Sequence, residues 1–234
     1  MSNNSRVDKA RINSDAGQVA RRSMVDVGHW IDQKGWCPAT GGNFSVRLSS
    51  VSSDDVALGD SCVVTASGCH KGQLKISDFI EVDLYGQPID PDDPHRPSAE
   101  TLVHVALYRL SSKINAVLHA HSIPNTVLSR IEKGNEIRVQ GWEMQKALRG
   151  ETTHEKTSVL AIFSNTQDMQ ALAESVEKRW VSVDGLHWGF LVRGHGVYAW
   201  GETMEEARRH LEAIEFLLSC ELEMRRLTLG VDQS

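Results

Sequence analysis

Ile114-Asn115-Ala116-Val117-Leu118-His119-Ala120-His121-Ser122-Ile123-Pro124 is the stretch whose reading decides the fold. Ile114 to His121 reads as a strand, and the segment from Ser122 to Ile131 reads as a helix that follows it directly. Side chains at i and i+2 of a strand point to the same face, so His119 and His121 can reach one metal ion from the strand's end. The bland alternative is two histidines near a sheet edge, and a lone H-x-H pattern does not separate the two.

Outward from this stretch, strands and helices alternate irregularly. Upstream, Ala16 to Lys34 carries apolar residues at helical spacing and stops at Gly35. Asn43 to Leu48, Cys62 to Ala66 and Phe79 to Leu84 read as strands, the first two joined by the polar stretch Ser49 to Asp60. Gly86 to Pro97 holds four of the six prolines and is a loop. Ser98 stands where an N-cap belongs, opening a helix through about Leu110. Downstream, the reading gives a short helix over Glu143 to Leu148, a strand over Ser158 to Phe163 and a helix over Thr166 to Arg179. A hairpin over Gly189 to Trp200 then turns at Gly194-His195-Gly196, and a long terminal helix runs from Thr203 to Leu227. Hairpins and strand pairs recur, which favours an α/β/α sandwich around a mostly antiparallel central sheet over a uniform βαβ wheel. No composition shift divides the chain. The expected organisation is a tail over 1–15, one domain over 16–228 and a short tail over 229–234.

Composition narrows the function. A formal net charge of -6 over 234 residues offers no basic face for nucleic acid. No apolar run reaches the length of a membrane span, and Met1 to Asp15 has no apolar core of a signal peptide, so a cytoplasmic location is expected. The four cysteines, Cys37, Cys62, Cys69 and Cys220, lack C-x-x-C spacing and do not read as a disulfide framework; Cys62 and Cys69 are small residues on or beside a strand or, as the alternative, metal ligands.

His195 is the third candidate ligand. It lies between two glycines at a hairpin tip, where the backbone can aim a side chain into a site. Three imidazoles would leave an open coordination position, the arrangement of a catalytic zinc. Two glycine turns, Thr40-Gly41-Gly42-Asn43-Phe44-Ser45 and Thr65-Ala66-Ser67-Gly68, offer backbone and side-chain donors to an anion, or are ordinary tight turns. Ser98 at a helix start adds a further anion donor or is a simple cap. Lys71 is either a positive charge for that anion or a solvated surface lysine. Glu100 and Glu143, each near a helix start, are candidate proton carriers or dipole-complementing acids. His104, one turn after Glu100, could support it.

The ordered set Gly41-Gly42-Asn43-x-Ser45, Thr65-x-Ser67-Gly68, Pro97-Ser98-x-Glu100, His119-x-His121 and His195-Gly196 resembles the class II aldolase family of zinc enzymes, from about Ala16 to Met224. The stretch Gly141-Trp142-Glu143-Met144-Gln145-Lys146-Ala147-Leu148 resembles a dehydratase branch of that family and not its sugar aldolases. The resemblance implies zinc on His119, His121 and His195, and a substrate phosphate held by Asn43, Ser67, Gly68 and Ser98. Aldolases often have a second serine where this chain has Ala99, so one phosphate donor is missing or replaced. It also implies a sugar-phosphate substrate and a homotetramer. Aldolases of the family use the glutamate matching Glu100, while some dehydratases use the one matching Glu143. This chain has both, and Glu143 is the favoured proton shuttle with Glu100 assisting. An aldolase reading and a non-catalytic module like the adducin head stand as rivals.

Overall fold

Hydrophobic periodicity separates the chain into strands buried on both faces and helices buried on one. The computed structural model describes residues 15–48, 60–182 and 185–231. The expected tail up to residue 14, the polar stretch 49–59 and the terminal residues 232–234 lie outside them. In chain order the elements are α1 (Asp15–Gln33), β1 (Asn43–Leu48), β2 (Ser61–Thr65), β3 (Phe79–Asp83), α2 (Thr101–Leu110), β4 (Ala116–Ala120) and α3 (Ile123–Ile131). They continue with β5 (Glu136–Val139), β6 (Ser158–Phe163), α4 (Met169–Trp180), β7 (Gly189–Val192), β8 (Gly196–Gly201) and α5 (Met204–Val231).

The strands form one eight-stranded sheet in the order β3-β2-β1-β4-β8-β7-β6-β5. Every neighbouring pair is antiparallel except β6 with β7. Alternation along β4 assigns its two faces. Leu118 and Ala120 pack with Met24 and Ile31 of α1, Leu128 of α3 and Leu211, Ile214 and Leu218 of α5. Val117 packs instead with Val103 and Leu107 of α2 and with Leu172 and Val176 of α4. Three helices therefore cover one face and two the other, which is the expected α/β/α sandwich around a mostly antiparallel sheet. His119 shares the parity of Val117 and faces the α2 side.

Three local readings change. Ser98 does not cap α2, which begins at Thr101 with Glu100 in the N-cap position. Ser98 instead accepts the Glu100 backbone N–H through its hydroxyl at 3.3 Å, closing a turn ahead of the helix. The segment Glu143–Ala147 is a 3-10 helix of five residues, bracketed by Gly141 and Gly150 at positive φ. The sequence reading assigns no strand at β5. Its four residues alternate, burying Ile137 and Val139, but the pattern is too short to stand out alone.

Candidate metal centre

The centre of the sheet brings the three histidines together. Asn43 of β1 stands opposite His119 of β4, and His119 stands opposite Tyr198 of β8. Tyr198 stacks on the His119 ring with centroids 4.0 Å apart. His121 follows β4, and its N–H donates to the Trp36 carbonyl at 2.7 Å, tying it to the loop after α1. The next residue, Ser122, caps α3 by accepting from the Asn125 N–H at 3.2 Å. Ser122 and Asn125 both donate to the buried Glu215 carboxylate of α5. Thr126 then reaches across to the His195 carbonyl at 3.0 Å. One helix start thus braces two candidate ligands.

Gly196 permits the approach. A Cβ there would lie 2.4 Å from the Ala120 oxygen, 2.7 Å from His121 Cδ2 and 2.9 Å from His119 Cε1. Gly42, at φ +75, does the same from the other side, since a Cβ there would lie 2.5 Å from the His119 oxygen. The ring centroids of His119, His121 and His195 form a triangle with sides of 4.6, 4.7 and 5.1 Å. Glu100 closes it: its Oε1 lies 3.1 Å from His195 Nε2 and 3.5 Å from His119 Nε2.

The tautomers follow from the partners. His119 Nδ1 lies 2.9 Å from the Val197 carbonyl, which can only accept, so Nδ1 carries the proton and Nε2 presents a lone pair. That lone pair faces His121 Nε2 at 2.7 Å and Glu100 Oε1. Burial, then the neighbouring His119 and His195, push the His121 imidazole down to about 3, so it is neutral at physiological pH. Burial pushes the Glu100 carboxyl up, but the adjacent His119 and His195 rings outweigh it and hold the group well below the ordinary carboxylate range. Three imidazole nitrogens and one carboxylate oxygen, all within 4.8 Å of one another, gather lone pairs at one point. That donor set fits a divalent cation.

Of the residues expected to hold a phosphate, Asn43 and Ser98 lie beside it. Asn43 Nδ2 donates to Glu100 Oε2 and lies 3.4 Å from Ser98 Oγ. Ser67 and Gly68 are exposed, and the Ser67 N–H donates to the Arg96 carbonyl at 2.9 Å. With the Ala66–Pro97 bridge, this stitches their turn to the one carrying Ser98. No Cβ contact within 4 Å stands against Gly68, so that turn is open. Lys71 is not a surface residue. It is buried, and its ammonium donates to the Thr40 carbonyl at 2.9 Å and the Cys69 carbonyl at 2.7 Å, clasping the two glycine turns together.

Glu143 is placed differently. Its side chain is 71% exposed and pairs with Lys146 at 2.6 Å and His154 at 3.2 Å. Its oxygens are not among the donor atoms gathered around the histidines. The Lys146 ammonium foremost holds its carboxyl below the ordinary range. The segment beneath it is anchored. Trp142 Nε1 donates to Glu221 of α5 at 2.8 Å, and Gln145 donates to Ser158 of β6 at 2.9 Å.

Of the buried polar groups behind Glu100, sequence reasoning singled out His104 as a support but missed Tyr108 and the linkage through Ser45. His104 Nε2 lies 2.5 Å from Asn43 Oδ1, His104 Nδ1 lies 2.7 Å from Ser45 Oγ, and Ser45 Oγ lies 2.7 Å from the Tyr108 hydroxyl. The signal was present as spacing. Glu100, His104 and Tyr108 recur at i, i+4 and i+8 on a helix, against Asn43 and Ser45 at i and i+2 on a strand.

The family described as Class II Aldolase and Adducin N-terminal domain matches residues 22–222. The chain is 51% identical over 205 residues to a methylthioribulose-1-phosphate dehydratase of Pectobacterium atrosepticum, covering 88% of this chain and 94% of the relative. It is 48% identical over 206 residues to a protein of the same name from Serratia proteamaculans, covering 88% and 95%. Among solved structures, an L-fuculose-1-phosphate aldolase of Thermus thermophilus superposes with a TM-score of 0.66 at 26% identity, over 89% of this chain and 96% of that one.

Proposed function

The chain belongs to the class II aldolase and adducin N-terminal domain family, and from that premise we propose that it dehydrates 5-methylthioribulose 1-phosphate to 2,3-diketo-5-methylthiopentyl 1-phosphate, a step of L-methionine salvage. Identity near one half to dehydratases of that name, across nearly nine tenths of the chain, is the observation that carries the reaction. The enzyme is a carbon–oxygen lyase. Its working unit is a single zinc domain over residues 16–228, assembled as a cytoplasmic homotetramer. Among the described residues no helix is long and apolar enough to cross a membrane.

Zinc is the cation that His119, His121 and His195 would hold, and when bound it would supply Lewis-acid polarisation of the substrate's C2 ketone. The phosphate rests on Asn43, Ser67, Gly68 and Ser98, with the Lys71 charge fixed beneath the two turns. Phosphate binding at the far end of the substrate holds C3 and C4 in place. Glu143 takes the proton from C3. The C3–H electron pair becomes the C3–C4 double bond as the C4 hydroxyl leaves with a proton returned to it, and tautomerisation of the enol gives the diketone. Glu143 lies outside the histidine cluster of its own chain, and in the proposed tetramer it serves the site of an adjacent subunit. Glu100, already in contact with the histidines, assists from within the chain.

Product identification tests this. Incubating the purified protein with methylthioribulose 1-phosphate should give one product lighter by one water by mass spectrometry. Dihydroxyacetone phosphate with an aldehyde would place the protein with the aldolases. Zinc far below one per chain after gentle purification, together with no turnover, would favour a binding module of the adducin-head kind.

A further inference from the structure

The side chains behind Glu100 form a hydrogen-bonded line with one possible direction. Start from the Glu100 carboxylate, which only accepts. The Asn43 atom against Oε2 is therefore the amide nitrogen. That orientation turns Asn43 Oδ1 toward His104, and a carbonyl oxygen also only accepts. His104 must then carry its proton on Nε2, 2.5 Å away. Its Nδ1 is left bare and accepts from the Ser45 hydroxyl at 2.7 Å. Ser45 has spent its one proton, so it accepts from the Tyr108 hydroxyl at 2.7 Å. His104, Asn43, Ser45 and Tyr108 are all buried, at 0 to 3% exposure, so water cannot substitute for a missing partner.

We infer that His104 is a positioning residue: its Nε2–H fixes the Asn43 amide so that Asn43 gives its amino group to Glu100 and holds that carboxylate against His119 and His195. The opposite amide orientation would aim Oδ1 at the carboxylate and the amino group at an N–H, setting like against like at both ends. His104, protonated on Nε2, opposes it from the inner side as the Glu100 carboxylate does from the outer. The fold supplies this by register. Two alternating residues of β1 meet two residues one turn apart on α2, and the turn before that ends at Glu100. The inference rests on the reading that Glu100 belongs to the active site, but the tautomer it requires does not depend on which reaction the protein catalyses.

Two measurements on the full-length protein test it. Two-bond 1H–15N correlation spectra of uniformly 15N-labelled protein, metal-free and with zinc added, read the ring directly, with the His104 signals identified by their loss in His104→Gln. A neutral ring protonated on Nε2 is expected in both forms. A ring protonated on Nδ1, or on both nitrogens at neutral pH, overturns the inference whatever the activity proves to be. In the second measurement His104→Leu removes the donor, and His104→Gln keeps an N–H that can reach Asn43. The leucine variant should keep its zinc and lose about 10- to 100-fold in kcat with a smaller change in KM, the scale of leaving buried polar partners unmatched. The glutamine variant should recover most of that loss. A folded leucine variant with wild-type kcat, or a glutamine variant as impaired as leucine, sinks the positioning role. If the leucine variant fails to fold, the ring tautomer decides alone.

Discussion

Glu100 and Glu143 are two carboxylates of one chain set in opposite surroundings. Glu100 stands at the start of α2 with one oxygen on Asn43 and the other against His119 and His195. Glu143 rides on a short 3-10 helix with most of its side chain in solvent, paired with Lys146 and His154. Its foundation is nonetheless firm, since Trp142 and Gln145 lock the segment to α5 and β6. The contrast separates two tasks. A group wired into a buried network is held in one place and one charge state. A group exposed on a rigid support is free to take up and release a proton where another molecule brings a substrate to it.

The largest expected effect removes the point around which both acids are arranged. His121→Ala should eliminate bound zinc and turnover, a loss of at least about 1,000-fold by metal analysis and product assay. The fold should survive, because His121 lies beyond β4. Next, Glu143→Gln should lower kcat by about 100- to 10,000-fold, the range for losing a general acid/base, and Glu100→Gln by about tenfold. The reverse ranking would break the comparison and return the proton to Glu100. It can also be sharpened. Mixing the inactive Glu143→Gln and His121→Ala proteins under conditions of subunit exchange should restore part of the activity, because an intact Glu143 on one chain meets an intact metal site on another. Mixtures that stay inactive after exchange would place Glu143 outside its neighbour's site.

Protonation gives a smaller effect. Burial first, then the charge of His119, lowers the His104 imidazole to about 3, and His121 is likewise lowered to about 3. In the unfolded chain these rings take up protons near the ordinary value of about 6.5. Between those two values the unfolded state binds more protons, so stability falls as pH falls. The slope is about 1.4 kcal/mol per pH unit for each fully effective group. Burial raises Glu215 to about 7, and it acts oppositely, losing stability as pH rises from the ordinary carboxyl value toward 7. Denaturant melts of metal-free protein should therefore show a decline on acidification below about pH 6 that is shallower in His104→Gln. Smallest of all, Trp142→Phe removes the bond to Glu221 and should lower stability by about 1 kcal/mol, with kcat falling only if the Glu143 support loosens.

Much of this was legible in the sequence. The strand ending in His119 and His121, the glycine-flanked His195 and the class of sheet each have a one-dimensional signature, because strand parity and turn chemistry are local. What was not legible depends on register between distant segments. Nothing near Lys71 in the chain says that its ammonium meets the Thr40 carbonyl, and its charge alone suggests a surface position. Ser98 read as the cap, but it closes a turn that puts Glu100 in the cap position, and no local pattern shows that turn. Glu143 sits in the motif that distinguishes the branch, yet its surroundings within one chain are ordinary for a surface acid. The role proposed for it belongs to contacts between chains, which local pattern does not encode.

The three candidate ligands also set a schedule. His119 and His121 are near neighbours, but His195 follows His121 by 74 residues and joins them only when β8 docks on β4. A collapsing chain could offer a metal the first two imidazoles early, with weak hold, and the third only after that large loop has closed. Tight metal binding is thus a reporter of a finished sheet centre. A chelating dye competing during refolding would lose its zinc in step with the last tertiary phase, not with the first burst of secondary structure.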